Sequence, residues 1–353
     1  MVKDSYSVGF WGDFTTGENY QAKYDLTEHI NILRQEGYEY LLEKVSNILS
    51  SFDFNIVNLE TPLTNVKSSS LEHKKTILHW ADGEKVIPLL RKNKVQAVSL
   101  GNNHVMDYDK RGLDETLNYL YSADICSFGA GINLQNASLP FIRQITLGSK
   151  KFNLYVFGGY KYRKDYDEDF KFYAKKDKEG AFLLTPDTVQ ESIKSIKNSD
   201  KDSVIVVFPH FGFDLMKKTP LQVEYAHGFI DAGADFVIGH GPHMMNSVEK
   251  YKGKTILYGL GNFIFPANFM GKVFPYNMGA ELKFDLLENG DVSSKIRVYP
   301  LFMDNQSFKP QTRPLFDYEI QDFMDLFFEE AEELQSQALV EETDDGIFRI
   351  VVQ

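Results

Sequence analysis

Short apolar runs, each closed by a polar turn and followed by a stretch with helical spacing, recur along the first third of the chain. Tyr6 to Trp11 is rich in strand formers and ends at Gly12-Asp13. Tyr38 to Leu49 carries Tyr40, Leu41, Val45 and Leu49 on one helical face. Phe54 to Asn58 reads as a second strand ending in Leu59-Glu60, and Glu84 to Lys92 as a helix. Val95 to Leu100 is a third strand ending at Gly101-Asn102-Asn103-His104, and Asp114 to Ser122 is another amphipathic helix. Strand, polar turn and helix in repeated succession predict βαβ units and a largely parallel central sheet.

The middle is less regular. Phe141 to Thr146 and Phe152 to Phe157 predict a hairpin around Leu147-Gly148-Ser149. Lys161 to Lys178, crowded with Lys, Asp, Tyr and Phe, reads as an exposed insertion. Thr185-Pro186 opens a helix to Lys197 with proline in its first turn. Strands follow at Ser203 to Phe208 and Phe236 to Ile238, separated by a helix at Gln222 to Asp231. Ile256 to Phe265 is strand-like. Ala280 to Leu287 and Val292 to Tyr299 flank Glu288-Asn289-Gly290-Asp291, a hairpin signal. Past Pro300 the composition changes: Gln321 to Leu339 predicts an acidic amphipathic helix, and Phe348 to Val352 a last strand. The expected organisation is one domain over residues 1–300 and a C-terminal extension over 301–353.

Composition narrows the function classes. The 353 residues are 43% hydrophobic, enough for a substantial core and against global disorder. A net charge of −12 removes the broad basic footprint of a nucleic-acid binder, so no nucleic-acid partner is expected. An acidic surface also repels anionic polymers unless local cations offset it, and bound divalent metals would do so. The single cysteine, Cys126, excludes an intramolecular disulfide and a cysteine-based zinc site. Neither a signal peptide nor an apolar run of membrane-spanning length is visible, so a cytoplasmic chain without a transmembrane anchor is expected.

Six polar motifs lie just after or within apolar strand-like runs, and strand ends in an α/β sheet converge on the edge where ligands bind. Gly12-Asp13 supplies a sharp turn and a hard oxygen ligand, although most such pairs are plain turns. In Asn58-Leu59-Glu60-Thr61-Pro62, Glu60 is a carboxylate able to bridge two cations, or simply a cap. Asn102, Asn103 and His104, with Asp107 three residues on, combine a neutral oxygen ligand with a proton donor; the bland alternative is an asparagine-held turn. His210 in Pro209-His210-Phe211-Gly212 is a ligand or a hydrogen-bonded core histidine. His240 and His243, in Gly239-His240-Gly241-Pro242-His243, form the most specific signal, because a rigid turn fixes two imidazoles. Tyr258 to Phe263 offers close approach at its glycines and Asn262 as a hydrogen-bonding group, or a β-bulge. His29, His73, His79 and His227 read as surface or supporting residues. Trp11, Phe14, Phe211, Phe213, Phe263 and Phe265 read as core or pocket wall.

Taken in order, these motifs resemble the CapA/PgsA-like capsule (poly-γ-glutamate) synthesis family of the calcineurin-like metallophosphoesterase superfamily. Gly12-Asp13, Asn58 to Leu63, Asn102 to Tyr108, His210 to Gly212, Gly239 to His243 and Gly261 to Phe263 carry the resemblance, which spans Val8 to Phe265. It implies a four-layer α/β/β/α sandwich with two divalent ions, Mn, Fe or Zn, at one edge. Asp13, Glu60 and His243 would serve one metal, and Asn103, His210 and His240 the other, with Glu60 bridging. His104 would be the general acid or orient a phosphate, and Asn102, Asp107, Asp214 and Asn262 would support the site or the substrate. The family's usual Trp and Glu of the fourth motif are here Phe211 and Asp214. The function implied is metal-dependent phosphoester hydrolysis in capsule or cell-surface polymer biosynthesis, on an anionic or phosphorylated precursor. A non-catalytic metal-binding component of a polymer synthesis complex is the alternative. A carbohydrate-binding module would explain the aromatics but not the histidines.

Overall fold

The computed structural model describes residues 3–24, 31–266, 276–303, 311–329, 331–343 and 346–352. Two large sheets face each other. In the ten-stranded sheet, Ser5–Phe14 is central and runs parallel to Phe54–Leu59, which pairs in turn with Val95–Ser99 and then Cys126–Phe128. On its other side Asn277–Leu286 is antiparallel and forms a hairpin with Val292–Met303. The six-stranded sheet orders Phe141–Leu147, Lys150–Tyr160, Val204–His210, Phe236–Ile238, Lys254–Leu257 and Val248–Tyr251, parallel in its middle.

Side-chain alternation along each strand builds the layers. Phe10 and Ile56 point between the sheets, where they meet Val156, Val206, Phe208 and Ile238. Their neighbours Trp11 and Val57 point outward and are covered by Leu41, Leu49, Val86, Leu90 and Leu113 from helical segments. Val207 and Val237 of the second sheet are covered likewise by Ile193, Ala226 and Phe229. Burial on both faces explains why these strands read as continuous apolar runs. The result is the expected α/β/β/α sandwich. Its helices are capped by local chemistry. Asp82 accepts from Glu84 N at the start of Gly83–Lys92, and Thr185 and Thr219 form capping boxes before Pro186–Ser199 and Pro220–Ala232.

Several expectations change. Tyr38–Val45 is a 3₁₀ segment, joined to a short α-helix at Ser46–Ser51. The strand-like stretch Ile256 to Phe265 is two strands in different sheets: Lys254–Leu257 ends in one, and Asn262–Ile264 pairs with Ser5–Phe14 in the other. Gly261, at φ 77, makes the crossing. Lys161 to Lys178 is not a simple exposed insertion, because Tyr166, Phe172 and Tyr173 are buried against Tyr160. Its alternating charges hide that apolar face. The long acidic helix is instead Asp317–Phe327, then a short helix at Glu332–Gln335 and a strand at Leu339–Glu342. Phe323 and Phe327 fill the inter-sheet core, so the helix packs on its own domain. The expected 300/301 boundary falls inside Val292–Met303, and Phe348–Val352 pairs back onto that strand. No helix among the described residues is long and apolar enough to cross a membrane.

Candidate metal centre

Parallel strands end on one edge, and there the motifs converge. Asp13 lies at the end of the first strand, Glu60 follows Leu59, His210 ends its strand, and His240 follows Ile238. A bridge between the backbones of His210 and His240 ties two of these ends together. Two groups of ligand atoms form, Asp13 with His210 and His240, and Asp13 with Glu60 and His243, each within 4.8 Å. Asp13 is therefore common to both, whereas the resemblance makes Glu60 the bridge. Glu60 Oε1 also faces both groups, 3.9 Å from His210 Nε2 and 3.6 Å from His243 Nε2.

The donor set fits divalent metal. Both carboxylate oxygens of Glu60, and Asn103 Oδ1, are buried with no hydrogen-bond partner. Such orphaned acceptors are costly unless something positive meets them. The histidines are arranged as ligands whose second nitrogen is occupied. His240 Nε2 donates to Phe208 O at 3.3 Å, leaving Nδ1 3.5 Å from Asp13 Oδ1. His243 Nδ1 donates to Asn262 Oδ1 at 2.9 Å, leaving Nε2 toward Glu60. His243 is held at φ 59, a left-handed conformation a non-glycine residue rarely adopts. His210 Nδ1 lies 3.0 Å from His240 Nδ1.

Charge is divided unevenly. Burial raises the Asp13 carboxyl, but close contact with the His240 and His243 rings more than offsets this and holds it well below its usual range. Burial, and then the charge of Asp13, push Glu60 well above its range. Burial opposes a charge on His243, yet Glu60 and Asp13 raise it to about 10.

The supporting residues form a connected frame. Asn58 Nδ2 donates to Asp13 Oδ1 at 2.9 Å, and Asn102 Nδ2 donates to Asn58 Oδ1 at 3.0 Å. Asn102 Oδ1 in turn accepts from His104 N. His104 Nδ1 donates to Asp107 Oδ2 at 2.5 Å, and its Nε2 lies 3.8 Å from Glu60 Oε1. Burial and the Lys75 charge push this imidazole well down, to its neutral form. Asp214 alone stays outside, exposed on the rim, where its charge still acts on Glu60 and His243.

The structure adds residues the motifs did not single out. His79 is buried and stacks on His104, ring centres 3.6 Å apart and 2° from parallel. Its Nδ1 donates to Glu60 O and its Nε2 meets Tyr20 Oη at 3.2 Å. Lys75 is buried as well and donates to Asp107 Oδ1 and Asn103 O. Asn58 stood inside a quoted motif, but nothing local marks Lys75 or His79. Lys75→Met should destabilise the fold by about 3–5 kcal/mol, because it strands the buried Asp107 carboxylate. Urea unfolding checks this, and a loss under about 1 kcal/mol would mean that the pair is not an ion pair.

Residues 7–267 match the family described as bacterial capsule synthesis protein PGA_cap. The chain is 27% identical over 293 residues to the capsule biosynthesis protein CapA of Bacillus anthracis, covering 80% of this chain and 66% of that protein. It is 27% identical over 267 residues to the PGA biosynthesis protein CapA of Bacillus subtilis, covering 74% and 64%. A probable polyglutamine synthesis accessory protein of Mycobacterium tuberculosis is 29% identical over 218 residues, covering 60% and 55%. The chain thus spans between 55% and 66% of the length of these relatives.

Proposed function

For a chain that belongs to the bacterial capsule synthesis protein family PGA_cap, we propose metal-dependent phosphoester hydrolysis in the biosynthesis of a capsule or poly-γ-glutamate polymer. The observation that carries it is the pair of ligand groups sharing Asp13, with both oxygens of Glu60 buried and without a hydrogen-bond partner. Asp13, Glu60, Asn103, His210, His240 and His243 would hold two divalent ions. Bound there, the ions would supply positive charge to a phosphoryl oxygen and lower the pKa of a water.

The chain's own residues orient, bind and move protons. Asn58, itself held by Asn102, aims Asp13. Asn262 fixes the His243 ring. His104, anchored through Nδ1 on Asp107, presents Nε2 toward the ligand cluster. There it takes a proton from solvent and gives it to a leaving oxygen, with Asp107 stabilising the charged ring in between. The buried walls formed by His79 and Phe265 keep water from the far side of these rings.

Elemental analysis of the purified protein, together with turnover of phosphorylated substrates before and after chelation, tests this reading. About two transition-metal ions per chain and a turnover lost on chelation and recovered on metal return are expected. Metal without turnover on any phosphoester would favour the non-catalytic component. No metal uptake from Mn or Zn would defeat both.

A further inference from the structure

Two lysines are buried beside the metal centre, and their surroundings differ. Lys75 donates to Asp107 and Asn103, so its charge is matched. Lys161 is 5% exposed, and its Nζ lies 3.5 Å from the centre of the Phe213 ring. Among the described residues no carboxylate or carbonyl accepts from that Nζ. Its neighbour Arg163 is already committed, with a two-pronged contact to Asp165. An aromatic face leaves an ammonium's three N–H donors open to water or a ligand, so this position has unused binding capacity.

Its location gives that capacity a purpose. Lys161 directly follows Tyr160, whose backbone is in register with His210, and Lys161 N donates to His210 O at 3.2 Å. The ring its ammonium meets, Phe213, lies three residues past His210, so Lys161 and this candidate ligand stand at one strand end. Phe213, 45% exposed, roofs the ammonium from the solvent side.

We propose that Lys161 Nζ receives an oxyanion of the substrate, a carboxylate or phosphate group, at the edge of the metal centre. This rests on the metal-site reading above and assigns one residue to the charge of its substrate. Lys161 is a specificity-determining residue here, and it forms no covalent bond.

Titration calorimetry on the metal-loaded protein tests it, with inorganic phosphate and a short γ-linked glutamate oligomer as separate probes. Wild type, K161M and K161R are compared, with metal content and unfolding midpoint measured on the same samples. The wild type is expected to bind at least one probe, K161M at least about tenfold more weakly, and K161R close to wild type. An effect on phosphate alone assigns a phosphate group, and an effect on the oligomer alone assigns a carboxylate. K161M should keep its metal and its unfolding midpoint, because Met replaces a buried charge with a similar volume. Wild-type affinity of K161M for both probes overturns the inference. So does metal-loaded wild type that binds neither, or a K161M midpoint that falls with no loss of affinity. Absence of metal from the wild type defeats the metal-site reading itself, an outcome that the elemental analysis separates from the others.

Discussion

Asp13→Ala is expected to weaken binding at both metal positions by more than about 100-fold, leaving purified protein nearly metal-free. Asp13 is fully buried and belongs to both ligand groups, so its loss opens both together. Removal of His240 touches one group only. Asn262→Ala, which frees the His243 ring without removing a ligand, should cost about 10–100-fold. Elemental analysis after dialysis against a graded chelator series ranks the three. The ordering Asp13, His240, Asn262 follows from the shared position of Asp13. An Asp13→Ala protein that keeps two ions at wild-type affinity would show that the bridge lies elsewhere, with Glu60 the first alternative. Circular dichroism guards against a trivial loss of fold.

Gly12→Ala should lower stability by about 4 kcal/mol or more, among the larger effects a single methyl group can have. A Cβ at Gly12 would lie 1.9 Å from Gly261 O and 3.0 Å from Gly261 C. These are backbone atoms, so no rotamer change relieves the clash. The same Gly261 O accepts from Asp13 N at 2.9 Å, so any shift moves the shared ligand too. Stability and metal affinity should therefore fall together. Gly37→Ala is the control. Gly37, unlike Gly12, has a positive φ, 82, and nothing lies within 4 Å of its added Cβ. At φ 82 and ψ 171 the backbone is in a region nearly reserved for glycine, so the variant should lose about 1–3 kcal/mol of stability to strain. Urea unfolding of both variants separates crowding from strain, and equal losses would mean that the Gly12–Gly261 approach is not a constraint.

The parallel strands and the candidate ligands were legible for the same local reason. A strand buried on both faces must be apolar throughout, and the turn that ends it must supply its own polar chemistry. Val204 to Phe208 followed by His210, and Phe236 to Ile238 followed by His240 and His243, carry both marks within a few residues. Ile256 to Phe265 failed as one strand because sheet membership leaves no local mark. Both halves are equally apolar, and the short stretch between them, Tyr258-Gly259-Leu260-Gly261, is marked only by its glycines, of which Gly261 is left-handed. The acidic helix after Pro300 was read too long, because Ala331 to Leu339 keeps helical composition while pairing decides its end as strand.

By itself, then, the sequence determined the strand-end motifs and the succession of parallel strands and helices, both properties of contiguous stretches, while the family resemblance those motifs carry implied the layered sandwich and the candidate ligands Asp13, Glu60, Asn103, His210, His240 and His243. Only the tertiary structure decided that Asp13 is common to two groups, that His79 stacks on His104, that Lys75 is matched to Asp107, and that Lys161 is buried beside His210. Lysine and histidine in a polar stretch look like solvated residues. Their burial and partners depend on segments brought together from far along the chain, and neither periodicity nor spacing records such meetings.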